Sequence, residues 1–234
     1  MLIMGFVFSG DNKSLLVRGV GPALASFGVS SALADPRLML FGPNGMIAAN
    51  DDWQIDSGGQ PNGQFIAASA AQAGAFALSN GSKDSALVFT INRSAYTTGL
   101  TGSNGATGVA LMEIYDTDHE LGSRLINGSA RMNLTPDGGP LIAGFVIAGN
   151  APITMLLRGV GPTLSTFAVT GALADPKISV FSGSTQVASN DNWETGASTA
   201  SQLVSTSAQV GAFALPASSK DAVLLLKLQP GPTR

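Results

Sequence analysis

Cysteine is absent from the 234 residues, and histidine occurs once, at His119. The first absence removes any disulfide framework and any thiolate chemistry, and it leaves the redox compartment unspecified. The second removes the commonest general base and metal ligand from every position but one. Charge is also scarce: Asp, Glu, Lys and Arg make up 12% of the chain, roughly half the usual share for soluble domains. The twelve Lys and Arg are scattered and outnumbered by fifteen Asp and Glu, so no basic stripe exists to neutralise phosphates, and nucleic acid is excluded as a partner. No apolar run approaches the roughly eighteen residues of a membrane-spanning helix. The opening MLIMGFVFSGD has the look of a signal-peptide core but carries no basic residues ahead of it, and its pattern returns as LIAGFVIAGN at 141–150. It reads as a strand, so no signal peptide is expected.

What the chain does contain is hydrophobic residues at 44% and 29 glycines, the composition of a well-cored, turn-rich protein. It also contains itself twice. Leu15–Trp53 aligns with Met155–Trp193 at an offset of 140, with 19 identities in 39 positions. Ser69–Ile91 aligns with Thr206–Leu228 at an offset of 137, with 11 identities in 23, including GAFAL and SKD in both copies. Three residues are lost between the blocks, where QIDSGGQPNGQF shortens to ETGASTASQL, and a length change of this kind marks a surface loop.

Within each copy the periodicity favours strands. KSLLVRGVGP, PRLMLFGP, GMIAAND, DSALVFTIN and TGVALMEIYD are short apolar or alternating runs closed by Gly, Pro, Asn or Asp. ALASFGVSSALAD and FIAASAAQAGAFAL are Ala-rich and suit short helical or 3₁₀ pieces. With no long helix to cover parallel crossovers, the expected class is all-β: two tandem antiparallel β-sandwich domains of the immunoglobulin-like or jelly-roll kind, residues 1–118 and 119–234. The first copy is expected to lack the lead-in strand corresponding to Ser129–Leu134, and the second to lack the closing strand corresponding to Gly108–Asp116.

Few residues suggest chemistry. Arg18 and Asp35 recur as Arg158 and Asp175, and the pattern favours structural ion pairs fixing a loop to a strand over a binding pair. Asn50, Asp51, Asp52 and Trp53 recur as Asn190, Asp191, Asn192 and Trp193. Their oxygens are weak calcium candidates, but the Gly-centred loop and closing Glu of an EF-hand are missing. The alternative is an Asx-rich turn with the indole as a core anchor; an exposed Trp53 or Trp193 would instead offer a platform for a sugar ring. EIYDTDHE, at 113–120, gathers carboxylates around His119 but reads as a solvated linker between copies. TGSNGATG, at 101–108, matches no phosphate-binding loop and reads as a hairpin loop, and G-x-S-x-G does not occur. No catalytic residue emerges.

Laid out in order, LIxGFVxxG, LLRGVGPxL, GALADPxxxxF, ASNDNW, GAFAL, KDA and TGVALMEIYD resemble modules repeated in tandem within large secreted or surface proteins of environmental bacteria. The resemblance covers almost the entire chain. It implies an extracellular or cell-surface β-rich module without assigned activity and carries over no catalytic residue. The leading expectation is therefore a structural or adhesive module, including a self-assembling filament subunit, whose partners are copies of itself or neighbouring repeats joined by edge-strand pairing. A calcium-supported module that binds polysaccharide is the alternative, and a hydrolase without a recognisable motif the third.

Overall fold

The computed structural model describes residues 1–118, 124–135 and 139–231. It is mostly β, 39% strand and 17% helix, with its sheets antiparallel. Among the described residues no helix is long and apolar enough to cross a membrane. The chain divides into two compact units, Met1–Ala143 and Gly144–Arg234.

Among the described residues the first unit has eight strands: β1 (Leu2–Ser9), β2 (Lys13–Val20), β3 (Pro36–Gly42), β4 (Gly45–Asn50), β5 (Ser85–Ile91), β6 (Ala95–Gly102), β7 (Leu111–Asp116) and β8 (Arg124–Arg131). Five form one sheet in the order β4-β3-β6-β1-β8, and three form another, β5-β2-β7. Helix α1 (Gly63–Gln72) lies between β4 and β5 in the sequence. The RGVGP turn leads into a 3₁₀ segment, Pro22–Phe27, with the proline in its first turn.

Strand β2 explains how these parts stack. Successive side chains of a strand point to opposite faces, and here both faces are buried. Leu15 and Val17 face one way, into clusters with Phe6 and Phe8 of β1, Leu38 and Leu40 of β3, and Leu100 of β6. Leu16 faces the other way, into a cluster with Trp53, Ala86 of β5, and Ile66 and Ala70 of α1. The first unit is thus three layers deep, sheet on sheet on helix. Each fully buried aliphatic or aromatic side chain contributes roughly 1.5–3 kcal/mol, so β2, buried on both faces, is the axis of the unit.

Three expectations change. The domain boundary at 118/119 does not match the packing, because β8 pairs antiparallel with β1 from Ile3↔Arg131 to Ser9↔Arg124. The segment read as the second copy's lead-in strand therefore completes the first unit's sheet, and β1 lies between β6 and β8 with neither edge open. The hairpin reading of 101–108 also fails: this stretch includes the end of β6 and a 3₁₀ turn, Ser103–Gly105, and it leads from one sheet to the other.

The second unit repeats the first only in part. Strands β9 (Ile153–Gly159), β10 (Ile178–Ser182), β11 (Thr185–Asn190) and β12 (Ala222–Leu228), with helix α2 (Ala200–Gln209), correspond to β2, β3, β4, β5 and α1. Among the described residues of the second unit no strand corresponds to β6, β7 or β8. In the first unit β6 joins β3 to β1, and β7 flanks β2. Without counterparts of those strands, β10-β11 and β9-β12 are separate two-stranded sheets, and 141–148, the counterpart of β1, forms no strand. The Trp-and-helix layer survives as a cluster of Trp193, Leu203 and Val223 with Leu156, Leu215 and Leu225. The layer between sheets does not: Phe6 is 2% exposed and its counterpart Phe145 is 47% exposed.

Candidate functional site

The repeated turn motif is held by a buried carboxylate in each unit. Asp84 accepts hydrogen bonds from the Gly21 and Ala23 amides, at 2.8 and 3.3 Å, and from Ser82 Oγ at 2.7 Å. Asp221 does the same with the Gly161 and Thr163 amides, at 2.8 and 3.4 Å, with Ser219 Oγ at 2.7 Å, and with the Thr163 hydroxyl. Burial pushes the Asp221 carboxyl up, but the hydrogen bonds from Thr163, Gly161 and Ser219 outweigh it and hold the group below the usual carboxylate range. Gly21 and Gly161 are required by close approach: a Cβ on either would collide with the carbonyl oxygen of Leu33 or Leu173. Neither aspartate was singled out from sequence, although SKD recurring in both copies was the available signal.

Asn50 and Asn190 are buried linkers. Asn50 Oδ1 accepts from the Ala86 amide at 2.9 Å, and its Nδ2 donates to the Asp52 and Ile55 carbonyls at 3.1 and 2.7 Å. Asn190 Oδ1 accepts from the Val223 amide at 2.9 Å, and its Nδ2 donates to the Asn192 carbonyl at 2.9 Å. Asp52 is bonded to Lys83, 2.8 Å from Nζ. Asp51 and Asp191 are exposed, and Asn192 Nδ2 lies 3.4 Å from Asp191 Oδ1. The amide oxygens of Asn50 and Asn190 thus point at backbone amides, and among the described residues no three His, Asp or Glu side chains gather as a metal group.

Trp53 and Trp193 are 4% and 5% exposed. Trp53 Nε1 donates to the Ser79 carbonyl and Ser82 Oγ, at 3.3 and 3.2 Å, and Trp193 Nε1 to the Pro216 carbonyl at 3.2 Å. An indole enclosed in this way offers no free face to a sugar ring. An open cleft beside Trp53 is lined by Gln54, Phe65, Asn80 and the Asp52–Lys83 pair, whose charges answer each other.

The arginines differ most from expectation. Arg18 does not pair with Asp35; its Nη2 lies 2.9 Å from Oε2 of Glu113, the residue opposite it on β7. Its Nη1 donates to the Phe76 carbonyl at 2.6 Å, and the guanidinium lies 4.2 Å from the Phe76 ring centroid. Tyr115, two residues along β7, donates to Glu113 Oε1 at 2.7 Å; burial and the neighbouring carboxylate push its phenol up to about 12. Asp175 pairs with Lys220 at 2.6 Å rather than with Arg158. Arg158 lies 4.3 Å from the Phe213 ring centroid, the counterpart of Phe76. Among the described residues no carboxylate makes an ion pair with it; burial pushes its guanidinium down, Asp221 favours the charged form only from longer range, and its Nε and Nη2 are buried without hydrogen-bond partners.

The acidic run is also more than a linker. Asp116 and Asp118 carboxylates bind the fully buried ammonium of Lys13 at 2.7 and 2.6 Å, and Glu113 serves Arg18. His119 and Glu120 lie outside the described residues. Strand β7 is therefore the acidic strand that neutralises both cations of β2. In the second unit, among the described residues, β9 has the arginine, an unpaired edge where β2 meets β7, and no acidic strand beside it.

Compared with known proteins, the chain matches no family model, no curated protein and no solved structure.

Proposed function

We propose that the chain is an extracellular structural or adhesive repeat module that assembles by strand addition, with copies joined into filaments. The observation that carries this reading is that, among the described residues, β9 has one neighbouring strand where its counterpart β2 has two. An unpaired strand edge presents backbone N–H and C=O groups that favour pairing with another chain, and a head-to-tail pairing that does not close on itself propagates. The exposure of Phe145 supports it, because its counterpart Phe6 is buried between the sheets of the first unit. The tandem organisation and the resemblance to secreted and surface repeat proteins support a module outside the cell, one sandwich-like unit in an array. The polysaccharide-binding and hydrolase alternatives draw no support from two enclosed indoles and paired polar groups.

Light scattering over a wide concentration range, with electron microscopy of the assembled fraction, tests the reading. Growth in mass with concentration and linear particles are expected. A chain that stays a monodisperse monomer throughout, with the β9 amides protected from exchange, would overturn it. Retention on polysaccharide in a pull-down, abolished by chelation, would favour the alternative.

A further inference from the structure

The strand-addition reading leaves open what kind of strand β9 accepts and in which register. We propose that the open edge of β9 docks the β7 strand of another repeat, antiparallel, with the glutamate at the Glu113 position facing Arg158. The inference rests on that reading and gives it a partner.

Three observations converge. First, the edge is matched: LLVRGV at 15–20 pairs with β7, and MLLRGV at 155–160 repeats it. Carrying the first unit's register across sets Leu156 opposite the tyrosine, Arg158 opposite the glutamate and Gly159 opposite the methionine. Second, the arginine cradle is already built. Arg158 lies over Phe213 as Arg18 lies over Phe76, but Arg18 Nη2 has Glu113 Oε2 at 2.9 Å, whereas the half-buried Arg158 has enclosed Nε and Nη2 atoms and no ion-pair partner among the described residues, and an enclosed cation is stabilised when a carboxylate meets it. Third, the charge selects the strand. Of the twelve described strands, β7 alone carries an acidic residue. The others would extend the sheet but leave Arg158 unanswered. The β7 of the same chain is engaged with β2, so the occupant is the β7 of another repeat.

One difference between the units makes the proposal specific. Lys13, which holds Asp116 and Asp118, is replaced by Ile153. The docked strand therefore needs its glutamate and not its two aspartates.

The test is a fluorophore-labelled peptide of residues 108–118, GVALMEIYDTD, titrated into the full chain. Binding is followed by anisotropy, amide exchange at 155–160, and light scattering of the unlabelled chain. Saturable binding is expected, with slowed exchange at 155–160 and suppression of chain–chain assembly. The E113Q peptide should bind at least about thirtyfold more weakly, the scale of breaking a buried charge pair. The D116N/D118N peptide should bind like the parent. Because these changes are in the peptide, the chain's own folding is untouched. Equal binding of parent and E113Q peptides, or absence of binding by a chain whose 155–160 amides exchange freely, would overturn the proposal. So would assembly in which the β2 amides lose protection, since that would mark exchange of the chain's own β7. Peptide binding by a chain that never self-associates would sink the filament reading and leave the register standing, whereas assembly indifferent to every peptide would do the reverse.

Discussion

Glu113 faces Arg18 across the β2–β7 pair, with 2.9 Å between Oε2 and Nη2, and the arginine is fully buried. Truncating one partner of such a pair strands a charge inside the protein, whereas replacing both by apolar groups does not. We expect Glu113→Ala to destabilise the first unit by about 3–5 kcal/mol. Arg18→Met combined with Glu113→Leu should recover most of that loss. Urea unfolding of the single and double variants measures both, and a double variant as weak as the single one would show that the pair contributes more than mutual neutralisation.

Most of the first unit could be read from residue patterns, because its strands announce themselves. KSLLVRGV, PRLMLFG, GMIAAN, SALVFTI and LMEIYD are closed by Gly, Pro, Asn or Asp, and each is a strand. Strand β6 was less visible since its inward residues are Tyr96, Thr98 and Leu100. The alternation is present, but a threonine at its centre weakens the apolar signal; Thr98 is accommodated by an Oγ1 contact to the Met4 carbonyl at 3.3 Å. Strand β8 was assigned to the wrong unit because RLINGSAR is an edge strand with almost no buried face, so its sequence says little about which sheet it joins. The ion pairs were misassigned for a related reason. Arg18 and Asp35 recur together in the sequence, but cross-strand register decides which side chains meet, and register is set by tertiary packing. The buried Asp84 and Asp221 were hidden by an ordinary preference, since aspartate is seldom enclosed unless amides converge on it.

Gly28 and Ala168 occupy the same position at the end of the 3₁₀ segment, at φ +83° and +59°. A left-handed backbone suits glycine and strains alanine. Ala168→Gly should therefore stabilise the second unit by about 1 kcal/mol, and Gly28→Ala should destabilise the first by a similar amount. Thermal unfolding followed through each unit's single tryptophan reads the two effects separately in chains in which the other indole is replaced by Phe. Opposite signs in the two units are the expected result; equal signs would count against the backbone explanation.

Asp221 yields a pH dependence with a definite sign. Its carboxyl is held below the usual range in the folded protein, so the folded state favours the charged form. The stabilisation is present in full above the unfolded value of about 4 and is lost as pH falls through the lower folded value. Unfolding of the second unit should therefore weaken steeply in acid. Asp221→Asn should be less stable at neutral pH and should flatten that part of the profile. A variant profile parallel to the parent's would assign the acid sensitivity to other groups.

Asn50 separates the structural and calcium readings of the Asn-Asp-x-Trp motif. As a carboxamide it accepts from the Ala86 amide and donates to the carbonyls of Asp52 and Ile55. A carboxylate at this position could still accept but would direct a charged acceptor at two carbonyl oxygens within the folded unit. Asn50→Asp should thus destabilise the first unit by roughly 2–4 kcal/mol, from lost donors and an unanswered buried charge. A calcium ligand would respond in the other direction, because an added carboxylate strengthens the grip on a hard cation. Melting the parent and the variant with excess calcium and with chelator distinguishes the two. The structural role calls for a lowered midpoint that neither addition restores, and a calcium-dependent rise in the variant would favour the calcium reading.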